Sequence, residues 1–341
     1  MNPDVGDDRT TTNEPGPCHP AATAMTPADT AVRIDDLVKA YPRPGGPGTV
    51  RAVDGISLEV RAGEVFALLG PNGAGKTTTL EIVEGLKAAT SGRATVLGLD
   101  SARDRDELKQ RIGVQLQSSS YFEHLRLEEI LRLFGSFYRR RRAASELLEL
   151  VGLADKRRAL VGQLSGGQAQ RFSIVAALVN DPEIVFLDEP TTGLDPQSRR
   201  NLWALVRSIN ADGTTVILTT HYMEEAEELA DRVAIVDQGR LVALDTPPRL
   251  IASLPNRHRV RFALVEDVAV EDVHRLPGVL DVRARLNGHA IYELAVEQPQ
   301  VTVPALFAWV NRQPVELRDI RVEAPTLEDV FLARTGNRLR D

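Results

Sequence analysis

The chain has 341 residues and a formal net charge of −7, and its length suits two domains by the loose guide of roughly 150 residues each. The acidic balance argues against a nucleic-acid surface, so we expect no nucleic-acid partner. A single cysteine, Cys18, excludes a disulfide framework and fits a reducing cytosol. No apolar run reaches the roughly 18 to 20 residues that span a bilayer, and no signal-peptide pattern opens the chain. A role at a membrane would therefore need a separate membrane partner.

The first segment, residues 1–30, is rich in proline and threonine and carries few large apolar side chains. Such a segment cannot bury enough apolar surface to offset its ordering entropy, so it is predicted to be disordered. Met25 lies just before the first predicted strand and is an alternative start of the chain. We expect one domain over 31–250 and an accessory domain over 256–341.

Short strands are predicted at 32–38, 52–60 and 94–97, with a glycine-rich loop between the second and the third. The loop follows the apolar run Val65 to Leu69, typical of a buried strand, and leads into a predicted helix from Thr77 to Leu86. It reads G-x-x-x-x-G-K-T and comprises Gly70, Pro71, Asn72, Gly73, Ala74, Gly75, Lys76, Thr77 and Thr78.

This context predicts that the loop binds the phosphates of a nucleoside triphosphate. Glycines allow backbone conformations in which successive N–H groups point inward at a phosphate. The N-terminus of the following helix adds a partial positive charge. We expect Lys76 to reach the β- and γ-phosphates and the Thr77 hydroxyl to ligate Mg²⁺.

From about 104 to 179 the pattern becomes helical, and we expect a helical subdomain there. Its clearest signal is an apolar stripe at helical spacing. The stripe consists of Leu127, Ile130, Leu131, Phe134 and Phe137. The basic run 139–142 is interpreted as a solvated helix end, with a phosphate or lipid-headgroup patch as the alternative.

Apolar strands return at 183–187, 214–218 and 232–236, and their alternation with helices predicts a doubly wound parallel sheet with its site at the carboxyl ends of the strands. Beyond residue 256 the predicted order is strand, helix, strand, strand, helix, strand, helix. The elements are placed at 258–265, 271–276, 279–286, 290–296, 303–312, 316–323 and 326–336. This order resembles the split β-α-β plan of a ferredoxin-like domain.

Two acidic residues end the strand at 183–187. Asp188 is placed to hold Mg²⁺ through water, and Glu189, one residue further on, is placed to polarise the water that attacks the γ-phosphate. Paired acids at a strand end are common in unrelated turns. Because a phosphate loop precedes this pair in a parallel-sheet pattern, the pair predicts phosphoryl-transfer chemistry.

A second anion site is predicted at Ser165-Gly166-Gly167-Gln168. A serine hydroxyl and unobstructed glycine N–H groups precede a predicted helix there, an arrangement suited to a phosphate. With Leu164 before it, the segment resembles the signature pentapeptide of the ATP-binding subunit of an ABC transporter. The resemblance spans about residues 32–250. It implies an α/β P-loop NTPase with a parallel sheet core, an antiparallel N-terminal β-subdomain, a helical subdomain and a small α+β C-terminal domain.

The resemblance also implies roles for single residues. Gln117 matches the Q-loop glutamine that senses Mg²⁺ and water, with Gln115 as a nearby competitor. Asp195 matches the D-loop aspartate that reaches across a dimer interface, and His221 matches the switch histidine on the γ-phosphate. Tyr41 fits the aromatic that stacks on adenine. The expected catalytic residues are then Glu189, His221, Gln117 and Lys76, and the expected Mg²⁺ ligands are Thr77, Gln117 and Asp188.

In this family two copies pair head to tail, so that Lys76 of one copy and Ser165 of the other would meet on one ATP. The tail at 325–336 resembles that of daunorubicin-resistance-type exporter ATPases. Those subunits serve a separate ABC-2-type permease that exports drugs, lipids or polysaccharides, which would place this chain on the cytoplasmic side of the cell membrane. The partner copy would be this chain or a paralogue.

Two alternatives stay open at the sequence level. A soluble ABC-type ATPase that acts on a ribosome or on DNA would share the same nucleotide site. The tail would equally fit a terminal amphipathic helix that packs Leu327, Val330 and Phe331 on its own domain. Nothing in residues 251–341 suggests chemistry, so we predict a dimer-stabilising or regulatory role there.

Overall fold

The computed structural model describes residues 30–43, 45–117, 120–254, 258–286 and 290–336. The strands are β1 Thr30–Pro42, β2 Thr49–Arg61, β3 Val65–Leu69, β4 Ser91–Val96, β5 Leu99–Asp100, β6 Ile112–Gln115, β7 Ile184–Asp188, β8 Thr215–Thr220, β9 Arg232–Asp237, β10 Arg240–Asp245, β11 His258–Leu264, β12 Val279–Leu286, β13 Ala290–Val296 and β14 Leu317–Glu323. The helices are α1 Lys76–Val83, α2 Arg105–Arg111, α3 Leu127–Gly135, α4 Ala144–Leu150, α5 Gly166–Ala176, α6 Pro196–Ala211, α7 Met223–Leu229, α8 Pro247–Ala252, α9 Val270–His274, α10 Pro299–Val310 and α11 Leu327–Thr335.

The central sheet has the strand order β10-β9-β3-β8-β7-β6, in which all neighbours run parallel except β10. Strands β3, β7 and β8 are buried at every position. Alternate side chains of β3 enter different cores, with Val65 and Ala67 on one face and Phe66 and Leu68 on the other. Both faces are therefore covered, which explains why the sequence of each strand is a continuous apolar run.

An antiparallel sheet of order β2-β1-β4-β5 packs over the Phe66 face of the central sheet. Helix α1 contributes Leu80, Ile82 and Val83 to the same core. The opposite face is covered by helices α3 to α7. The α/β fold class predicted from the sequence is confirmed, with its parallel core and antiparallel N-terminal sheet.

The last sheet is antiparallel and has the order β12-β13-β11-β14. Its two central strands, β13 and β11, are therefore not consecutive in the chain. One face is covered by α9 and α10 around the stacked rings of Phe262 and Tyr292, whose centroids lie 5.2 Å apart. This order is that of the split β-α-β plan. Helix α10 begins at Pro299, four residues before the predicted start, because a proline in the first turn loses no backbone hydrogen bond.

Two predictions for the helical region were wrong. Strand β6 lies inside 104–179, directly after α2 and without an intervening turn, and it forms the edge of the parallel sheet. Phe137 lies beyond the end of α3 and is 68% exposed, whereas Leu127, Ile130 and Leu131 are buried as expected. The arginine run occupies the connection between α3 and α4, where Arg139, Arg140 and Arg142 form surface ion pairs with Glu107, Asp181 and Glu146.

One interpretation of the sequence placed the tail helix on its own domain. That interpretation was wrong. Leu327, Val330 and Phe331 of α11 are buried in the large core below the central sheet, against α7 and α8. The backbone N–H of Leu327 donates to Glu227 Oε1 at 2.6 Å, which fixes the start of α11 on α7. The accessory region therefore shares a hydrophobic core with the nucleotide-binding region.

The predicted disordered segment 1–30, with Cys18 and Met25, lies outside the described residues except for Thr30, which begins β1. The predicted domain boundary falls between α8 and β11, where 255–257 are also outside them. None of the helices in the described ranges combines the length and the apolar character needed to cross a bilayer.

Candidate functional site

The phosphate loop joins the end of β3 to the start of α1, and its glycines are required by close backbone approaches. A Cβ on Gly75 would lie 2.2 Å from the carbonyl oxygen of Ala52, and φ at Gly75 is +98°. A Cβ on Gly70 would lie 2.2 Å from the carbonyl oxygen of Val236. The loop thus packs directly against β2 and β9, which leaves a cradle that a larger residue would fill.

Lys76, the first residue of α1, is buried inside this loop. Its Nζ donates hydrogen bonds to the carbonyl oxygens of Gly70 at 2.8 Å and Pro71 at 3.2 Å, and it lies 3.4 Å from Glu189 Oε1. Burial lowers the pKa of Lys76, and the neighbouring carboxylates of Glu189 and Asp188 oppose that shift. The ammonium group is held in place by weak neutral acceptors that a phosphate would replace.

The two acids at the end of β7 sit beside the loop. The Thr77 hydroxyl donates to Asp188 Oδ1 at 3.3 Å, and the Thr219 hydroxyl of β8 donates to the same oxygen. Burial raises the pKa of Asp188, and the hydrogen bonds from the two threonines oppose that shift. Hydroxyl and carboxylate oxygens are ligands that Mg²⁺ prefers, so these residues fit the metal.

No cluster of three or more His, Cys, Asp or Glu side chains that could hold a metal occurs among the described residues. Magnesium is usually held by one or two protein ligands together with substrate phosphates, rather than by a cage of side chains. The sparse donor set of Thr77 and Asp188 beside the phosphate loop agrees with that pattern.

Glu189 is the centre of the site. Its Oε2 accepts hydrogen bonds from Gln117 Nε2 at 3.3 Å and from the Thr192 hydroxyl at 3.2 Å, and it lies 3.4 Å from His221 Nδ1. Burial favours the neutral carboxyl, but the Lys76 ammonium and the neighbouring His221 hold the pKa of Glu189 below its usual value. The carboxylate is therefore ionised and in reach of four polar groups.

The backbone at Glu189 is strained, with φ at +46° in the left-handed region. A non-glycine residue rarely adopts this conformation, and such outliers cluster at functional sites. The N–H of Glu189 donates to the Thr219 hydroxyl at 2.9 Å, which holds the unusual turn. Thr219 thus supports both acids, through Asp188 Oδ1 and through the backbone of Glu189.

The structure distinguishes the two glutamines that the sequence left in competition. Gln115 is the last residue of β6, and its side chain is buried and donates to the neighbouring carbonyl of Leu116. Gln117 lies two residues later and reaches Glu189. Of the two, Gln117 is therefore the glutamine in contact with Glu189, and its role at the metal stays a prediction.

The signature segment forms the N-terminus of α5. Ser165 caps the helix and accepts from the N–H of Gln168 at 3.4 Å, while Gln168 Oε1 accepts from the N–H of Ser165 at 3.1 Å. This capping box leaves the N-terminal N–H groups of Gly166 and Gly167 at an open helix end. Asp195 caps α6 in the same way, accepting from the N–H groups of Gln197 and Ser198.

Within one chain the signature segment and the phosphate loop are not joined. Among the hydrogen bonds and ion pairs of the described residues, none links Ser165, Gly166, Gly167, Gln168 or Asp195 to the loop or to Glu189. Gly167 instead packs against α6, where a Cβ would lie 2.7 Å from Ser198 Oγ. The signature and Asp195 thus form an exposed neighbouring pair, separate from the loop.

Comparison with known proteins agrees with this geometry. The family model described as "ABC transporter" matches residues 53–192. The chain is 41% identical over 321 residues to the daunorubicin resistance ATP-binding protein DrrA2 of Streptomyces coeruleorubidus, covering 90% of this chain and 96% of that protein. The chain belongs to the ABC transporter family.

A second relative and a solved structure extend the comparison. Nod factor export ATP-binding protein I of Paraburkholderia xenovorans (strain LB400) is 37% identical over 328 residues, covering 92% of this chain and 99% of that protein. A dimeric ATP-binding cassette in a post-hydrolysis state, bound to ADP and Pi, superposes with a TM-score of 0.57 at 28% identity. It covers 63% of this chain and 98% of its own.

This ABC transporter subunit is an ATPase that binds ATP with Mg²⁺ and couples hydrolysis to transport. The sequence had predicted both the activity and the two cofactors. Tyr41 lies at the end of β1, with the ammonium groups of Lys39 and Lys87 at 5.2 and 5.8 Å from its ring centroid. Stacking of Tyr41 on adenine stays a prediction.

Three residues of the ABC site were missed by the sequence analysis. Thr219 and Thr192 bind the two acids, and Glu84 is a buried carboxyl whose pKa burial raises to about 8. The available signal was a threonine inside the apolar strand at 214–220 and an acid inside the apolar stretch after the phosphate loop. A buried polar residue in such a run needs a partner: Thr219 has Asp188 and the backbone of Glu189, whereas Glu84 Oε2 has no hydrogen-bond partner among the described residues.

Proposed function

We propose that this ATPase subunit energises a separate ABC-2-type permease that exports a drug, a lipid or a polysaccharide. The names of two relatives support this range, since one confers daunorubicin resistance and another serves Nod factor export. The subunit would work at the cytoplasmic face of the cell membrane, attached through the permease. The observation that carries the proposal is an exposed apolar groove continuous with the Gln117 segment.

The groove has a volume of about 550 Å³ and lies between β6 and the connection after α3. Exposed apolar side chains of Leu86, Leu116 and Phe137 line it, and Phe137 is the most exposed of them. A group of exposed apolar side chains that line one groove is typical of a site where another protein binds. An amphipathic helix of a permease fits such a groove.

One buried carboxyl group opens into this groove. Glu84 is 3% exposed, and its Oε2 has no hydrogen-bond partner within the described part of the chain. A buried unsatisfied polar atom is costly, so a hydrogen-bond donor or a basic side chain from the permease helix would stabilise the contact. The groove thus offers a partner exposed apolar side chains, one buried acid at Glu84 and the basic side chain of Lys109.

The same short segment connects the groove with the catalytic acid. Val114 and Leu116 line the groove, and Gln117, one residue further on, donates to Glu189. A shift of a helix in the groove would therefore move the Gln117 amide relative to Glu189. This supports the proposed coupling between the permease and hydrolysis.

We assign the site residues as follows. Lys76 and the N–H groups of the phosphate loop bind the phosphates, and Thr77, Asp188 and Gln117 hold the metal site. The metal, when bound, neutralises charge that develops on the phosphates. Glu189 would orient the attacking water and accept its proton, and His221, whose Nδ1 lies 3.4 Å from Glu189 Oε2, would contact the γ-phosphate.

The separation of the signature from the phosphate loop supports a head-to-tail dimer. Ser165 at the start of α5 and Asp195 at the start of α6 form an exposed pair of helix ends, suited to the γ-phosphate held by Lys76 of a second copy. ATP binding would close the dimer and hydrolysis would open it. The dimeric cassette with ADP and Pi is a solved precedent for the arrangement.

The test purifies the tagged subunit by affinity from solubilised membranes of its native cells and identifies the co-purifying proteins by mass spectrometry. Phe137→Asp should lose the permease while the ATPase rate of the isolated subunit is kept, because the side chain is 68% exposed and lies in the connection after α3. Phe307→Asp, at an exposed phenylalanine of α10 outside the groove, is the control and should keep the permease. Co-purification of ribosomal protein or DNA, without a permease, would contradict the proposal and support a soluble ATPase.

A further inference from the structure

A buried carboxyl group lies outside the site described so far. Glu225 on α7 has no exposed surface, although Glu224 beside it is 77% exposed. Its Oε1 accepts a hydrogen bond from Trp203 Nε1 of α6 at 3.2 Å. A carboxyl group is rarely buried without a specific set of partners. The elements that meet at Glu225 therefore identify what it does.

Two threonine hydroxyls flank the same carboxyl. Thr220 ends β8 and directly precedes His221, and its hydroxyl also accepts from the N–H of Tyr222 at 2.9 Å, on the other side of the histidine. Thr191 lies two residues after Glu189, and its carbonyl accepts from the N–H of Leu194 at 3.2 Å. Glu225 thus touches the backbone segments that carry His221 and Asp195.

The junction is not fully satisfied in its present arrangement. Glu225 Oε2 and Thr191 Oγ1 are both buried, and within the described ranges neither has a well-aligned hydrogen bond. The guanidinium of Arg199 on α6 lies above the Tyr222 ring at 4.5 Å and pairs with Glu224 at 3.9 Å, but its Nε has no partner among the residues that the structure describes. Two unpaired groups side by side can pair after a small shift of one segment.

We propose that Glu225 is a positioning residue that holds the His221 segment and the Asp195 segment in register, so that His221 engages the γ-phosphate at its own phosphate loop while Asp195 reaches the nucleotide of the second copy. The proposal rests on the roles assigned above to His221 and Asp195. It predicts an effect on the hydrolysis rate with little effect on ATP affinity, because Glu225 touches neither the phosphate loop nor Lys76.

The chemistry of the site predicts which substitution is tolerated. Burial raises the pKa of Glu225, while the hydroxyls of Thr220 and Thr191, the Trp203 indole and the charge of Arg199 oppose that shift. Glutamine has nearly the same size, and its carbonyl oxygen can accept from Trp203 Nε1 while its amide group donates to the threonine hydroxyls. Glu225→Gln should therefore retain function, whereas the apolar Glu225→Leu should not.

Trp203 supplies a direct readout, since the chain has two tryptophans and Trp309→Phe leaves Trp203 alone. In this background we would measure kcat and KM for ATP hydrolysis, ATP affinity and Trp203 emission with and without Mg-ATP. Glu225→Leu should lower kcat at least about 10-fold with ATP affinity within about 3-fold, and should abolish the ATP-dependent change in emission. Glu225→Gln should stay within about 3-fold of the parent in kcat.

Glu228→Leu removes a half-exposed glutamate of the same helix whose partner is Arg207, a residue outside the junction, and is the matched control that should change none of these quantities. If Glu225→Leu does not fold, Thr191→Val tests the same junction by removing one hydroxyl, and it should lower kcat without weakening ATP binding. The proposal is overturned if Glu225→Leu or Thr191→Val keeps the parental kcat, or if kcat and ATP affinity fall in equal measure. His221→Ala, measured in parallel, tests the role assigned to His221. If this variant hydrolyses ATP at the wild-type rate, His221 has no catalytic role. The emission of Trp203 would still report whether Glu225 orders the junction.

Discussion

Lys76 and Glu189 form a buried ion pair that connects the phosphate loop to the end of β7, with Nζ 3.4 Å from Oε1 and side chains 4% and 6% exposed. Each charge keeps the other ionised against the cost of burial. A bound γ-phosphate would attract Lys76 away from Glu189 and leave the carboxylate to orient water. The pair therefore links phosphate binding to the activation of the catalytic acid.

Glu189→Gln should bind ATP and hydrolyse it at least about 100-fold more slowly, since the amide cannot accept the proton of the attacking water. Glutamine keeps the size of the side chain and its contacts with Gln117 and Thr192. Phosphate release and size-exclusion chromatography with light scattering would measure the rate and the accumulation of ATP-bound dimers. Turnover at the wild-type rate would remove Glu189 from its assigned role.

Thr219→Val should lower kcat about 10-fold or more, because its hydroxyl both donates to Asp188 and accepts from the backbone of Glu189. Valine fills the same space in the buried strand without either hydrogen bond. Thr219→Ser keeps the hydroxyl and is the matched control. Rates measured over a Mg²⁺ titration should show a raised Mg²⁺ requirement for the valine variant alone, and equal behaviour of the two variants would contradict this view.

Gly75→Ala should reduce the free energy of unfolding by more than about 2 kcal/mol, because it adds a backbone clash to an unfavourable φ. The clash is with the carbonyl oxygen of Ala52, 2.2 Å from the added Cβ. Gly73→Ala is the control: its φ is +81°, but no atom lies within 4 Å of its Cβ, so the loss should be about 1 kcal/mol. Urea denaturation of both variants would test the difference, and equal losses would show that the close approach does not matter.

The sequence predicted the parts of this fold that depend on residues close to one another in the chain. The phosphate loop, the buried parallel strands and the order of the last seven elements follow from glycine positions and apolar periodicity. Strand β6 was missed because four residues directly after α2 carry no turn signal, and their strand character comes from pairing with β7. The supporting contacts of Thr219 were missed for the same reason, since its partners on β7 are distant in sequence.

Phe331→Ala tests the finding that α11 belongs to the core of the nucleotide-binding region. The side chain is 1% exposed among residues of α7 and α8, so the substitution should reduce the free energy of unfolding by about 3–5 kcal/mol. Phe122→Ala, at a position 57% exposed, should change it by less than about 0.5 kcal/mol. If unfolding of the ATP-binding region, followed through bound nucleotide, is the same in both variants, α11 does not stabilise that region.

Glu84→Gln should show a stability difference from the wild type that depends on pH. Burial, together with the nearby charges of Asp188 and Glu81, raises the pKa of Glu84 from 4.5 to about 8. Between these values the unfolded chain releases the proton of Glu84 while the folded protein keeps it, so the stability of the wild type falls as pH rises through that window. Below pH 4.5 both states are protonated, and the stability is not reduced.

Glutamine cannot ionise, so the variant should lack this loss. The expected gain of Glu84→Gln over the wild type is small at pH 5 and grows to on the order of 3 kcal/mol near pH 7. Urea unfolding midpoints across pH 5 to 8 would measure it, with Glu224→Gln on the exposed face of α7 as the control. A difference that stays constant over this range would mean that Glu84 is ionised in the free subunit and already has a partner. The groove would then not require a donor from the permease to satisfy it.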